Sequence, residues 1–361
     1  MNTTDNGAEL LLAGPLAAPE FLDLLGLDGR PETLSGRLTG GADAGIGGAW
    51  PAWQAGGGEI AAMRVPASEE LRRYLKIAGL APVMADGQTV WGLGAGGGAD
   101  WRAEQGPLLA RAAAMLLSRD TLRDDASARA RLRRIAEIAA VRLRVAAEPD
   151  PVAHLPAPDP ARVDIQSRRE AYGRFFSVEE IALSHRRHDG GWSPVLEREV
   201  FISADAALLL PYDPVTDRVL LISQFRVGPM ARGQAQCWML EPIAGRVDAG
   251  ESPAEAARRE AVEEAGLTVG GLYPLPPHYP TPGANSEFFY PFIAAVDLSG
   301  RQSGQGFGLA SEGEDIATHI ISRTELLELA ETGQLQCGPL IGMALMLDRM
   351  APRIRADLAG T

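Results

Sequence analysis

Residues 245–267 read GRVDAGESPAEAARREAVEEAGL. Ser252, followed by Pro253 and Glu255, forms a capping box with proline at the first helical position. Gly266 supplies a left-handed stop. These signals predict a helix over 253–265. At ~100° per residue, Glu260, Glu263 and Glu264 fall in one sector. Ala254, Ala257, Ala261 and Ala265 lie on the flank beside it and allow close packing on a sheet. Arg259 falls on the opposite flank, near Glu255 and Glu263. Three carboxylates so close repel one another and destabilise an isolated helix. Mg²⁺ or Mn²⁺ would remove that penalty, because hard divalent cations prefer carboxylate oxygens. A solvated acidic face paired with arginine is the competing reading.

Around this helix the second half of the chain carries strand signals. Ala206–Leu210, Arg218–Phe225, Trp238–Pro242, Phe288–Val296 and Ile316–Ile321 are apolar or β-branched runs bounded by Asp, Gly and Pro. Thr324–Glu331 and Leu340–Met350 have helical periodicity.

Upstream, EPDPVAHLPAPDP predicts an extended linker, since proline fixes φ and lacks an amide donor. The expected organisation is a first domain over 1–147, a linker over 148–162 and a second domain over 163–361. In the first domain, a short helix is expected at Ser68–Ile77, ended by Gly79, and a long helical stretch at Asp100–Ala147, broken near Asp124-Asp125. Glycine clusters at 40–48, 56–58 and 94–98 separate strand candidates such as Glu59–Val65 and Pro82–Val90. A small α+β domain ending in helices follows. The arginines between Arg119 and Arg144 read either as a solvated helical face or as a partner or anion surface.

With 361 residues, two domains are the natural expectation. Lys+Arg 34 against Asp+Glu 47 gives a net charge of -13, which disfavours a general nucleic-acid binder. Two cysteines, Cys237 and Cys337, build neither a disulfide framework nor a zinc site. No apolar run reaches the roughly 18 residues of a membrane span, so a cytoplasmic protein is expected. Gly92-x-Gly94-x-x-Gly97 satisfies a dinucleotide-loop pattern only formally, with no following parallel strand. His185 and His188 lack further ligands for a metal site.

Gly245, Glu251, Arg259, Glu260, Glu263, Glu264 and Gly266 stand at the spacing of the Nudix box, G-x5-E-x7-R-E-U-x-E-E-x-G-U, with Ala261 and Leu267 at the U positions. The chain therefore resembles Nudix hydrolases. The resemblance implies an α/β/α sandwich with a mixed sheet for the second domain. It also implies Glu260 and Glu264 as principal metal ligands, Glu263 as an additional one, and Glu251 and Arg259 as residues that organise the loop. ISQFRVG (222–228), WMLEPIAGRVDAGE (238–251), TPGANSEFFY (281–290), SEGEDIATHIISR (311–323) and the segment 175–201 resemble the ADP-ribose pyrophosphatase group, as does the position of Pro282.

On that resemblance, Arg226 offers a planar fork to a phosphate, and the Ala244 carbonyl is a metal ligand. Gly283 allows close backbone approach, Ser286 and Glu287 bind ribose hydroxyls, and Arg198 reaches nucleotide across a homodimer interface. Glu312 is the expected general base, with Glu314 as the alternative and Glu263 as a further catalytic carboxylate. The implied reaction is Mg²⁺-assisted cleavage of ADP-ribose to AMP and ribose 5-phosphate. The alternatives are another nucleoside diphosphate derivative (a nucleotide sugar, NADH or a dinucleoside polyphosphate) or an ADP-ribose sensor without turnover. LLLAGPLAAPEFLDLLG near the N-terminus resembles the γ-glutamylcyclotransferase-like fold. There Ala13-Gly14-Pro15-Leu16 replaces a Tyr-Gly-x-Leu substrate loop, and Ala78 stands in the region of that family's glutamate, so the first domain is expected to be non-catalytic. The whole chain resembles Nudix proteins associated with tellurite resistance.

Overall fold

Short apolar runs build the first sheet of the computed structural model, which describes residues 9–118, 124–149, 154–155, 157–309 and 313–359. β1 (Glu9–Ala13) leads through a 3-10 turn to α1 (Pro19–Leu24), then come β2 (Arg30–Thr39), β3 (Ala52–Pro66), α2 (Glu69–Ala78), β4 (Val83–Ala85) and β5 (Gln88–Trp91). The strand order is β2-β3-β1-β5-β4, antiparallel except for the parallel β1–β5 pair. Two expectations need correction. Glycines 56–58 do not separate strands but lie inside β3, where positive φ lets the ribbon pass an irregularity at Ser35/Arg37 of β2. The run 82–90 is a hairpin rather than one strand, because Asp86 and Gly87 both take positive φ, as a two-residue turn requires.

α2 starts at Ser68, whose hydroxyl accepts the Leu71 N–H, and stops at left-handed Gly79. The long helical stretch divides into α3 (Gly106–Leu117) and α4 (Asp125–Ala147), the latter capped by the Asp124 side chain. The Gly92–Gly97 loop opens no helix; its Gly97 carbonyl instead accepts the Gly41 N–H at 3.0 Å. The chain then forms a three-stranded antiparallel sheet, β6 (Val163–Gly173), β7 (Ser177–His185) and β8 (Leu196–Ile202). β6 is exposed along nearly its whole length, so it lacks the apolar alternation by which strands are read. All these elements lie in one compact unit, Met1–Ser203.

The second unit is Ala204–Thr361, beginning after β8, and its strands and helices fall close to those read from its sequence. Its elements are β9 (Ala206–Asp213), β10 (Arg218–Phe225), α5 (Val227–Arg232), β11 (Trp238–Glu241), β12 (Ile243–Arg246), α6 (Pro253–Ala265), β13 (Leu272–Pro274), β14 (Phe289–Ala295), β15 (Gly306–Phe307), β16 (Ile316–Ser322), α7 (Arg323–Glu331) and α8 (Gly338–Ala359). The main path of the sheet is β13-β14-β9-β10-β16-β15, with β11 on β10 and β12 on β9. It is mixed, since β14 runs parallel to β9 while β10 and β12 run antiparallel to it.

Every residue of β9 is buried, because helices cover both faces. Leu208, Leu210 and Tyr212 point into a core shared with Leu326, Leu340 and Leu347 of α7 and α8. Ala207 and Leu209 point the other way, into a core shared with Ala257 and Ala261 of α6. The period-2 alternation of a strand thus fills two layers, and the unit is an α/β/α sandwich. α8 runs past Met350, where the sequence reading stopped it, and on through Pro352, with Ala351 and Ile354 buried in the core. Among the described residues, no helix is long and apolar enough to cross a membrane.

Candidate active site

The chemistry of the second unit gathers where β12 meets α6. The capping box forms as expected. Ser252 Oγ accepts the Glu255 N–H at 3.3 Å, while the Glu255 carboxylate accepts the Ser252 N–H at 2.9 Å. Gly266 ends the helix with φ +57°. The buried arc of α6 comprises Ala256, Ala257, Ala261, Glu264 and Ala265. Glu264 therefore lies inside the packed face rather than beside it, and Ala256, not Ala254, completes the contact.

Glu264 is 2% exposed and accepts the Ala244 N–H at 2.9 Å. Burial pushes its pKa up to about 9, with the Ala244 amide opposing and Glu260 and Glu314 reinforcing the shift. Burial likewise pushes Glu260 up to about 7, countered mainly by Arg259 and reinforced by Glu263 and Glu314. Gly245 makes this placement possible. A Cβ there would stand 1.7 Å from Glu260 Oε1, so the carboxylate passes over bare backbone.

Arg259 joins the loop to the helix. It donates to both Glu251 oxygens at 3.0 Å, to Glu260 at 2.6 Å, to Glu263 at 3.1 Å and to the Arg246 carbonyl at 2.9 Å. Burial alone would lower its pKa, but the Glu251 and Glu260 carboxylates outweigh that and raise it. The sequence reading set Arg259 near Glu255. Glu255 is instead held by the cap, and Glu251, which also accepts the Asp248 N–H, takes the arginine.

Among the described residues, no three His, Cys, Asp or Glu side chains converge on one point. Glu263 is turned to Arg259 rather than to the Glu260–Glu264 pair. The donor set nevertheless fits a hard divalent cation. Two carboxylates crowd together where burial disfavours their charge, within electrostatic reach of Glu314. Such a set selects a cation with oxygen preference as its countercharge.

Glu314 is held by the Leu309 N–H, which donates to its carboxylate at 3.1 Å. Gly308, with φ +105°, leaves the space this needs, since a Cβ there would lie 2.8 Å from that of Glu314. Glu312 lies outside the described residues.

Arg226 follows β10 and grips Glu241 of β11, with Nε 3.0 and 3.1 Å from the two carboxylate oxygens and Nη2 at 2.8 Å. Burial would lower its pKa, yet Glu241 and, farther off, Glu264 raise it. Sequence reasoning missed Glu241. Its signal was the β10–β11 pairing, which sets Glu241 against Ile222, four residues before Arg226, so that the long arginine side chain reaches back along the strand to the carboxylate. Arg301 was missed too; it caps α6 by donating to the Ala265 and Gly266 carbonyls at 2.8 and 2.6 Å.

Gly283, Ser286 and Glu287 lie in the loop before β14, where the Asn285 side chain accepts the Glu287 N–H at 2.8 Å. Open space surrounds Gly283. Arg198 lies on β8 in the first unit, where it donates to the Glu197 carbonyl at 2.8 Å.

A NUDIX domain model matches residues 203–336. An ADP-ribose pyrophosphatase of Escherichia coli (strain K12) is 38% identical over 174 residues, covering 48% of this chain and 81% of the relative. A GDP-mannose pyrophosphatase of Pectobacterium atrosepticum is 30% identical over 179 residues, covering 50% of this chain and 90% of the relative. A solved structure of an ADP compounds hydrolase aligns over 54% of this chain and 97% of its own, at 20% identity and a TM-score of 0.40. The likeness to the E. coli enzyme runs through 81% of its length, far beyond one helix and its loop, and the chain belongs to the Nudix hydrolases, in the group that includes the ADP-ribose pyrophosphatases.

Proposed function

We propose that this protein hydrolyses the pyrophosphate bond of ADP-ribose, releasing AMP and ribose 5-phosphate, with Mg²⁺ as the metal and Mn²⁺ as a substitute. The observation that carries the reading is the pair of buried Glu264 and half-buried Glu260 beside Arg226, within a chain 38% identical to an ADP-ribose pyrophosphatase. Glu260, Glu264 and the Ala244 carbonyl would hold the metal, with Glu263 joining once released from Arg259. Bound Mg²⁺ would neutralise the diphosphate and acidify a water.

The chain's own groups supply the rest. Arg226, braced by Glu241, presents its planar fork to a substrate phosphate. Glu251 and Arg259 fix the box loop so that Glu260 and Glu264 keep their spacing. Glu312, or Glu314 from the same loop, takes the proton of the attacking water. Ser286 and Glu287 bind ribose hydroxyls and Gly283 lets the backbone approach. We also infer a homodimer in which Arg198 reaches a nucleotide held by the other copy. The first domain, over 1–147, serves no cyclotransferase chemistry. Where a substrate loop would need a tyrosine, β1 runs into a turn with Pro15 and Leu16 buried.

The GDP-mannose pyrophosphatase likeness favours a nucleotide sugar as the second reading. Steady-state kinetics on ADP-ribose and GDP-mannose with Mg²⁺ separate the two. The expected result is a kcat/KM at least tenfold higher for ADP-ribose; the reverse order would move the assignment to nucleotide sugars.

A further inference from the structure

The arginines of α4 do not simply face solvent. In the first unit, α4 and β6 flank a cavity of about 1320 Å³. From α4 come Arg131, Arg133, Arg134 and Arg142. From β6 and the turn after it come Arg168, Arg169 and Arg174. Among the described residues, these seven guanidiniums face three carboxylates of the wall, while Glu137 and Glu180 pair with Arg133, Arg134 and Arg169 from outside it, a surplus of two positive charges on a chain whose net charge is -13.

Those carboxylates are already engaged. Asp124 caps α4 by accepting the N–H and hydroxyl of Ser127. Glu170 holds Arg131 through two bonds of 2.7 and 2.9 Å. Glu179 is shared between Arg168 and Arg142. Behind the wall, fully buried Glu137 is shared between Arg133 and Arg134. Among the described residues, Glu179 and Glu137 thus pair with four guanidiniums. Burial and the nearby Arg168 hold Arg142 below its ordinary pKa, with Glu179 opposing. Gathering like charge in this way costs stability that a bound anion would return.

The cavity is also shaped. A Cβ on Gly173 would stand 2.3 Å from the Arg131 guanidinium, so the glycine makes its slot. Arg134 stacks on the Phe175 ring, 4.4 Å from its centroid, which fixes its direction. Guanidinium forks converging in a concave space match the several oxygens of a phosphate chain. An open nucleic-acid track fits less well, because the net charge of -13 repels a long phosphate backbone.

We propose that this cavity, built wholly from residues of the first unit, is a binding site for a small polyphosphorylated anion. Isothermal titration of inorganic tripolyphosphate into the full-length protein, with EDTA and at low salt, tests it. Saturable one-to-one binding is expected. The double substitution Arg142→Gln with Arg168→Gln should weaken it at least about tenfold, the worth of a lost charge-assisted hydrogen bond. Lysine at both positions should restore most of it, and Glu264→Gln should leave it unchanged. Should the double variant lose its fold, Arg169→Gln, on a side chain 67% exposed, serves in its place with the same expected weakening. Absence of saturable binding, equal binding by the glutamine variants, or loss of binding in Glu264→Gln would overturn the proposal. So would tighter binding of single-stranded RNA with increasing length, which would make the cavity part of a nucleic-acid surface.

Discussion

Glu264 is the carboxyl of the box whose pKa burial raises furthest, to about 9. A buried carboxylate with one backbone donor and two acidic neighbours is unfavourable for folding alone, and a metal-binding role explains its presence. Glu264→Gln keeps the shape and can still accept the Ala244 N–H. Turnover should fall by more than the roughly 100-fold that loss of a group behind a metal ligand costs. Tm without metal should hold, since burial already keeps this carboxyl protonated near neutral pH and the amide replaces one neutral group with another. Normal turnover with the same Tm would take Glu264 out of the metal site. Glu241 offers a second test, because it braces Arg226 without being expected to touch substrate. In Glu241→Gln, KM should rise about tenfold while kcat changes less. An unchanged KM would show that Arg226 needs no brace. Glu260, Glu263 and Glu264 were legible in the sequence because their spacing is local to one helix. Glu241 and Arg301 were not, since each acts through a neighbour remote in the chain.

At the scale of the element, α6 could be read to its end residues. Capping chemistry involves side chains three positions apart, and Ser252, Glu255 and Gly266 are all in view in a linear text. β6, β7 and β8 stayed hidden because strand reading depends on one buried face, which β6 lacks. The hairpin turn between β9 and β10 shows how a buried acid can mark a stable element. Asp213 is 2% exposed and accepts the N–H groups of Val215, Thr216 and Leu298 and the Thr216 hydroxyl. Burial pushes its pKa up, but these bonds outweigh burial and leave it lowered. The native state therefore favours the carboxylate more than the unfolded chain does. Its stabilisation is complete above the unfolded pKa of about 4 and is lost as pH falls through the lower folded value. Asp213→Asn should cost about 1–3 kcal/mol at neutral pH and flatten the loss of Tm on acidification. A variant whose Tm tracks the wild type from pH 7 to pH 3 would contradict this.

For the whole molecule, composition excluded more than it revealed. The net charge of -13 is a sum over two units that use charge in opposite ways. In the second, carboxylates concentrate on α6 and the loop before β16; in the first, arginines of α4 and β6 gather around a cavity. The sandwich of the second unit was legible because its strands are apolar and its helices are well capped. The arginine cavity was not, since α4 and β6 are joined by a proline-rich stretch whose path a sequence does not state. The most direct test of the proposed activity is AMP released from ADP-ribose by the purified full-length protein with Mg²⁺, followed by chromatography. AMP and ribose 5-phosphate should appear in equal amounts, and EDTA should abolish the reaction. Tight binding of ADP-ribose with no AMP formed would contradict the hydrolase and leave a sensor in its place.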